Sequence, residues 1–282
     1  MEKSSPVGLA PLTAGDVAGL APANMFDLAG RVALVTGGTG GVGQWLAGGL
    51  GAAGARVAVS DRAETSPRRT VEVLEAAGID AHAFDADLTD PGGPEGLVAA
   101  VTRELGGPDI LVNCAAINQR QPIAEADRSA FDEIVDVNLR APYFLAQASA
   151  LAMRERGGGA IVNIGSINSA LGIHGVSAYG ATKAALSQVT RVMAVEWSDW
   201  NIRANCLAPG FLMTPLTKAL WEDDTRSRWL LNRVPMRRPG TPSEMVGLCV
   251  LLASDAGSFM TGQTVYVDGG LLAGSGWHRP DE

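Results

Sequence analysis

From Arg31 onward, short apolar runs alternate with longer stretches in which apolar and polar positions share helical spacing. The runs "RVALVT" (31–36), "ARVAVS" (55–60), 80–84, "DILVN" (109–113), "AIVNIG" (160–165), "IRANCLA" (202–208) and "QTVYV" (263–267) read as strands. They are too short for helices and rich in Val and Ile. The intervening stretches predict helices over 41–53, 65–77, 94–105, 128–155, 176–199, 214–231 and 242–253. Strands that are apolar throughout, rather than on alternate positions, are covered on both faces. Strand–helix alternation makes the sheet parallel. The expected fold is α/β, doubly wound, with seven parallel strands and a ligand crevice at their carboxyl ends.

Composition narrows this further. Of the 282 residues, 46% are hydrophobic, enough for a substantial core. The formal charge is −8, with no basic cluster, which argues against nucleic acid or an anionic membrane as partner. Three widely spaced cysteines, Cys114, Cys206 and Cys249, match no zinc or disulfide framework. No metal is therefore expected, and the compartment is read as the reducing cytoplasm. No apolar run has the ~18 residues needed to span a membrane. Residues 1–25 are read as a flexible extension whose leucines dock on the body or a neighbour. Residues 26–282 form one catalytic domain.

Between the first strand and the first helix lies "TGGTGGVG", residues 36–43. Glycines there let the backbone turn tightly and approach a pyrophosphate at a helix N-terminus. Three spacings overlap: Gly38/Gly40/Gly43, Gly37/Gly40/Gly43 and Gly37/Gly41/Gly43. No Gly-Lys-Ser/Thr follows, so this is not a triphosphate loop. The second strand ends at Asp61. An acid about 20 residues beyond the glycines is placed to bind the adenosine ribose hydroxyls. It also repels a 2′-phosphate, which favours NAD over NADP, with Arg62 partly compensating.

Tyr179 and Lys183 stand four apart at the start of a helix and share one face. A phenol, with a pKa of about 10, is a poor base at neutral pH. An adjacent ammonium stabilises the phenolate and lowers that pKa, which suits Tyr179 to exchange a proton with an alcohol or carbonyl oxygen. Ser166, at the end of the fifth strand, can hold that oxygen. Asn138 sits inside a helix, where asparagine is disfavoured, which points either to a role such as a water-bridged proton path or to a helix kink.

These motifs, with "DADL" (85–88), "VNCAA" (112–116), "VDVNL" (135–139), "IVNIGS" (161–166), "APGFLMTP" (208–215) and "TGQTVYVDGG" (261–270), resemble those of the short-chain dehydrogenase/reductase family in its single-domain form. The resemblance covers about residues 26–272 and implies a Rossmann fold. It makes Tyr179 the acid/base, with Lys183 on the nicotinamide ribose, Ser166 orienting the substrate and Asn138 on a water relay. It also implies cofactor contacts from Gly37, Thr39, Gly41, Val42, Gly43, Asp61, Arg62, Asp87, Leu88, Asn113, Ala115, Tyr179, Lys183, Pro209, Gly210, Leu212 and Thr214. Because the chain ends soon after the last strand, the single-domain spacing Gly37/Gly41/Gly43 is favoured, and Gly38 and Gly40 become permissive extras. "NCAA" at 113–116 departs from the family's NNAG, which puts hydrogen bonding at that strand end in doubt.

Within the family, "INQRQP" (117–122) and the segments 191–217 and 267–277 resemble gluconate and deoxygluconate dehydrogenases. Arg120 is a candidate anchor for a substrate carboxylate, and Asn168 and His174 are candidates for the pocket rim. Residues 211–235 are expected to form a lid whose Trp221, Trp229 and Leu230 face the substrate or anchor the lid to the body. Trp277 is expected to pack on another subunit, in a homo-oligomer, by resemblance a tetramer or dimer. The expected reaction is NAD-dependent oxidation of a secondary alcohol on a small polar substrate, or the reverse. The alternatives are a reductase of bulkier ketones such as acyl thioesters, and a non-catalytic dinucleotide sensor, which the complete Asn–Ser–Tyr–Lys set opposes.

Overall fold

A computed structural model of the protein describes residues 11–274. In the region read as an extension, α1 (Ala14–Gly19) and α2 (Pro22–Met25) are short helices. Thr13 and Asp16 form a reciprocal capping box on α1, and Leu12, Val17 and Leu20 are exposed. Trp277 lies outside the described residues.

The strands are β1 (Val32–Thr36), β2 (Arg56–Asp61), β3 (Ala81–Asp85), β4 (Ile110–Asn113), β5 (Gly159–Ile164), β6 (Ile202–Pro209) and β7 (Thr264–Val267). The helices after the first two are α3 (Gly43–Ala52), α4 (Pro67–Ala76), α5 (Gly93–Leu105), α6 (Arg128–Val135), α7 (Ala141–Glu155), α8 (Ser177–Glu196), α9 (Lys218–Trp221), α10 (Asp224–Arg233) and α11 (Val246–Ala253). All seven strands pair in parallel in the order β3-β2-β1-β4-β5-β6-β7, as the apolar runs predict.

β1 and β4 are buried at every position. Successive side chains alternate between the two faces, so Ala33 and Val35 join one core with Leu46, Leu50 and Val57, beneath α3 and α11. Val32 and Leu34 join the other with Leu97, Val101, Leu145 and Met153, beneath α5 and α7. Each fully buried Leu or Val stabilises the fold by roughly 1.5–3 kcal/mol. The chain order reverses direction between β1 and β4, and their carboxyl ends diverge there to open a crevice.

The helix expected over 128–155 holds one irregularity. Asp136–Arg140 is a π-turn joining α6 to α7, with Asn138 fully buried at its centre. The single helix expected over 214–231 is instead α9 and α10, because Asp223 caps a new start by accepting the amides of Thr225 and Arg226.

Candidate active site

A cleft of about 550 Å³ opens at the carboxyl ends of the strands. Its lining begins in the glycine loop. Gly37 takes a positive φ of 63°, and a Cβ there would lie 2.8 Å from the backbone of Ala115. A Cβ on Gly43 would lie 2.1 Å from the Gly37 carbonyl oxygen, so α3 starts closer to the loop than any other residue permits. A Cβ on Gly41 would lie 2.9 Å from Pro215 Cδ. Gly38 is not the permissive extra that spacing suggested: a Cβ there would meet the buried Val59 Cγ1 at 2.6 Å. Gly40 is looser, with only the Gly37 carbonyl oxygen near, at 3.2 Å. The loop is thus a backbone cradle that fits a dinucleotide's pyrophosphate, at the N-terminus of a ten-residue helix.

Beyond the cradle, Asp61 and Arg62 line the cleft, followed by Asp87 and Leu88. Asp61 Oδ2 accepts hydrogen bonds from Thr39, at 3.2 Å from the amide and 2.5 Å from the hydroxyl, while Oδ1 accepts from the Arg62 amide. Thr39 therefore acts through Asp61 and does not itself line the cleft. The Thr89 hydroxyl and amide hold the Asp87 carboxyl below its usual range. Val42, Ala115, Pro209, Gly210, Leu212 and Thr214 also line the cleft. Asn113 does not: its amide donates to Asn163 and the Pro142 carbonyl in a buried network beneath the strand end.

Ser166, Tyr179 and Lys183 converge at the other end of the cleft. Ser166 lies two residues past the end of β5 and accepts the Asn168 amide at 3.1 Å. Lys183 is 2% exposed and donates from Nζ to the Ile164 carbonyl at 2.7 Å. That nitrogen lies 5.7 Å from the Tyr179 ring centroid. The expected lowering of the phenol pKa by Lys183 is not found. Burial pushes the Tyr179 phenol above its ordinary value, offset in part by a hydrogen bond with Ser166 and by the charge of Arg120. Burial likewise lowers the Lys183 pKa. At neutral pH the phenol is therefore protonated, poised as an acid.

Asn138 reaches the site indirectly. Its side chain accepts the Ile117 amide and donates to the Ile117 carbonyl, both at 2.8 Å, and its Nδ2 lies 3.5 Å from Thr182 Oγ1 on α8. It braces the loop after β4 against the helix that carries Tyr179. The π-turn widens the helix where this side chain leaves it, and such turns recur at functional sites.

A family model described as enoyl-(acyl carrier protein) reductase matches residues 37–272. A gluconate 5-dehydrogenase of Gluconobacter oxydans is 40% identical over 85% of this chain and 93% of its own length. The chain belongs to the short-chain dehydrogenase/reductase family. Another member, a 2-dehydro-3-deoxy-D-gluconate 5-dehydrogenase of Dickeya dadantii, is 38% identical over 86% of this chain and 96% of its own length. Among solved structures, a gluconate 5-dehydrogenase of Burkholderia cenocepacia in complex with NADP and tartrate superposes with a TM-score of 0.86. It is 37% identical and covers 89% of this chain and 98% of its own. The chain is thus a pyridine-nucleotide-dependent oxidoreductase acting on CH–OH groups, as its dehydrogenase relatives are.

The departure from the family's NNAG leaves the strand end intact. Thr36 Oγ1 accepts the amides of Cys114 and Ala115 at 3.2 and 3.4 Å. Cys114 lines the cleft near Lys183, and burial pushes its thiol up to about 12, so it is an inert wall rather than a nucleophile. Arg120 lies beside the cleft and outside its lining. Its guanidinium is held below its usual range by burial and by the charge of Arg226 on α10. Its neighbours fix the loop: Gln119 donates to Glu133 and the Gln121 amide to Gly175, both at 2.9 Å. Asn168 and His174 are absent from the lining, and His174 is exposed in the turn before α8.

The two lid tryptophans separate. Trp221 donates to the Leu212 carbonyl at 3.2 Å and anchors the segment. Trp229 faces solvent under the Arg233 guanidinium, 4.4 Å from its ring centroid, while Leu230 is buried. Glu133 and Val137, which no motif singles out, also line the cleft. They stand four apart, so helical spacing puts them on one face of the segment leading into the π-turn, and the cleft lining shows which face that is.

Proposed function

We propose that the chain interconverts a secondary alcohol and a ketone on a small sugar acid or polyol. The observation that carries this is the convergence of Ser166, Tyr179 and Lys183 at the crevice end of the sheet, with the Arg120 charge felt at the Tyr179 phenol. In reduction the Tyr179 hydroxyl gives its proton to the carbonyl oxygen while Ser166 holds that oxygen. In oxidation the same atoms run in reverse. Lys183, fixed by its bond to the Ile164 carbonyl, is placed to bind the cofactor ribose. The nicotinamide, when bound, supplies or takes up the hydride. Arg120 pairs with the substrate carboxylate.

A panel of sugar acids, polyols and ketones, followed by nicotinamide absorbance in both directions, tests this reading. Tyr179→Phe should abolish turnover with cofactor affinity retained, and activity surviving that change would refute the assigned role. Arg120→Ala should raise KM for acidic substrates far more than for neutral ones. The description of the matching family model and the apolar Leu212 and Leu216 in the cleft favour a second reading, reduction of a bulkier ketone or thioester. The same panel separates the two.

Asp61, held by Thr39 at the cleft wall, supports NAD as the preferred cofactor, while the Burkholderia relative's complex contains NADP. The ratio of kcat/KM for the two cofactors decides, and a preference for NADP would overturn the Asp61 argument. The exposed Phe131, Tyr143, Phe144 and Leu151 on α6 and α7, with Val192 and Val195 on α8, support a homo-oligomer. Sedimentation measures its size. Unpaired cysteines support a cytoplasmic location, and no helix among the described residues is long and apolar enough to cross a membrane.

A further inference from the structure

A second cavity, of about 460 Å³, lies at the opposite, amino end of the strands, where β4, β5 and β6 begin. Its size falls within the range of small-molecule sites, about 300–1,000 Å³. Three arginines line it, Arg31, Arg156 and Arg203, with two aspartates, Asp109 and Asp255. Three cations against two anions leave one net positive charge.

The pairing within the cavity is uneven. Arg156 is matched to Asp109, with Nε at 2.9 Å from Oδ1 and Nη2 at 3.2 Å from Oδ2. Asp109 Oδ2 also accepts the Val32 amide at 2.8 Å, so this carboxylate has little left for another partner. Arg203 spends its donors on the carbonyls of Leu252 and Ser254, at 2.8 and 3.0 Å. Those bonds fix the guanidinium at the end of α11 without cancelling its charge. Burial lowers the Arg203 pKa, the Asp255 charge opposes that and the Arg31 charge adds to it. Among the described residues, Arg31 has no carboxylate partner of its own. None of these residues lines the catalytic cleft.

We propose that this cavity is a second ligand site, for a small oxyanion such as a carboxylate- or phosphate-bearing metabolite, anchored by Arg31 together with the fixed guanidinium of Arg203. β5 runs from this cavity to Ser166, and its six residues span about 20 Å. The ligand therefore binds alongside cofactor and substrate without displacing either.

The test titrates inorganic phosphate into the full-length protein saturated with nicotinamide cofactor, so that the glycine loop is filled. Ionic strength is held constant with sodium chloride, and binding is read by calorimetry and by the shift in thermal midpoint. Wild type should show saturable binding. Arg31→Gln should weaken it by about tenfold or more, the loss of a charged hydrogen bond. Arg31→Lys should retain part of it, and Arg120→Gln, at the catalytic end, should leave it unchanged. Equal thermal midpoints of the two Arg31 variants in chloride show that both fold. Phosphate binding that survives Arg31→Gln, that Arg120→Gln removes, or that chloride reproduces would overturn the proposal.

Discussion

Replacing Asn138 with alanine removes both hydrogen bonds that hold Ile117 and leaves its amide and carbonyl unpaired. A buried polar group without a partner costs about 1–3 kcal/mol. Ile117 also borders the cleft, where water can reach it, so the lower half of that range applies to each group. The sum is about 2–4 kcal/mol. For a domain of this size, each kcal/mol lowers the thermal midpoint by about 2–4 °C, which gives a drop of about 4–16 °C. Urea unfolding followed by tryptophan fluorescence, at fixed protein concentration, measures the same loss as a lower midpoint at unchanged slope. His174→Ala, at an exposed turn, is the control and should stay within about 0.5 kcal/mol of wild type. A midpoint for Asn138→Ala within 1 °C or so of wild type would show that the brace contributes nothing, and the reading of the π-turn would fall with it.

Two glycines five residues apart should respond in opposite ways. Gly43→Ala drives a Cβ into the Gly37 carbonyl and should weaken cofactor binding at least tenfold in a fluorescence titration, whereas Gly48→Ala meets only Leu74 Cδ2 at 3.6 Å and should stabilise α3 by about 0.5–1 kcal/mol. In alkali, the Cys249 thiol, pushed up to about 12 by burial, stays protonated in the fold while the unfolded chain ionises from about pH 8.5. Its contribution is fully present below that pH and is lost as pH rises towards 12, by at most about 1.4 kcal/mol per unit. Cys249→Ala should make stability measurably less steep in pH between 9 and 10.5, and an unchanged slope would refute this.

The strands were legible because a doubly covered parallel sheet needs continuous apolar runs, and the observed bounds lie within a residue or two of those runs. Tyr179, Lys183 and the glycine loop were legible because their spacing is itself the chemistry. The π-turn was not, because hydrophobic periodicity does not register one widened turn, although a polar Asn138 in mid-helix signalled something unusual. The break at Asp223 was readable as a capping residue but was overrun by the pattern on either side. The direction of the Tyr179 shift was beyond the sequence. It depends on how deeply the phenol is buried and on Lys183 facing the Ile164 carbonyl, which are properties of packing. Gly38 was misjudged for the same reason, since only the position of Val59 shows that it has no room.

The placement of β1 between β2 and β4 governs the order in which the molecule can assemble. β1 meets β2 after a short crossover, but its other neighbour begins at Ile110, more than seventy residues along the chain. During synthesis, β1, β2 and β3 can wind up as a half-sheet whose inner edge is exposed until β4 emerges. That edge is β1, buried at every position in the finished fold, and an unpaired apolar edge invites association with other chains. The seam between β1 and β4, which opens the crevice in the finished enzyme, is therefore also where a slowed ribosome or a destabilised β4 would favour aggregation over folding.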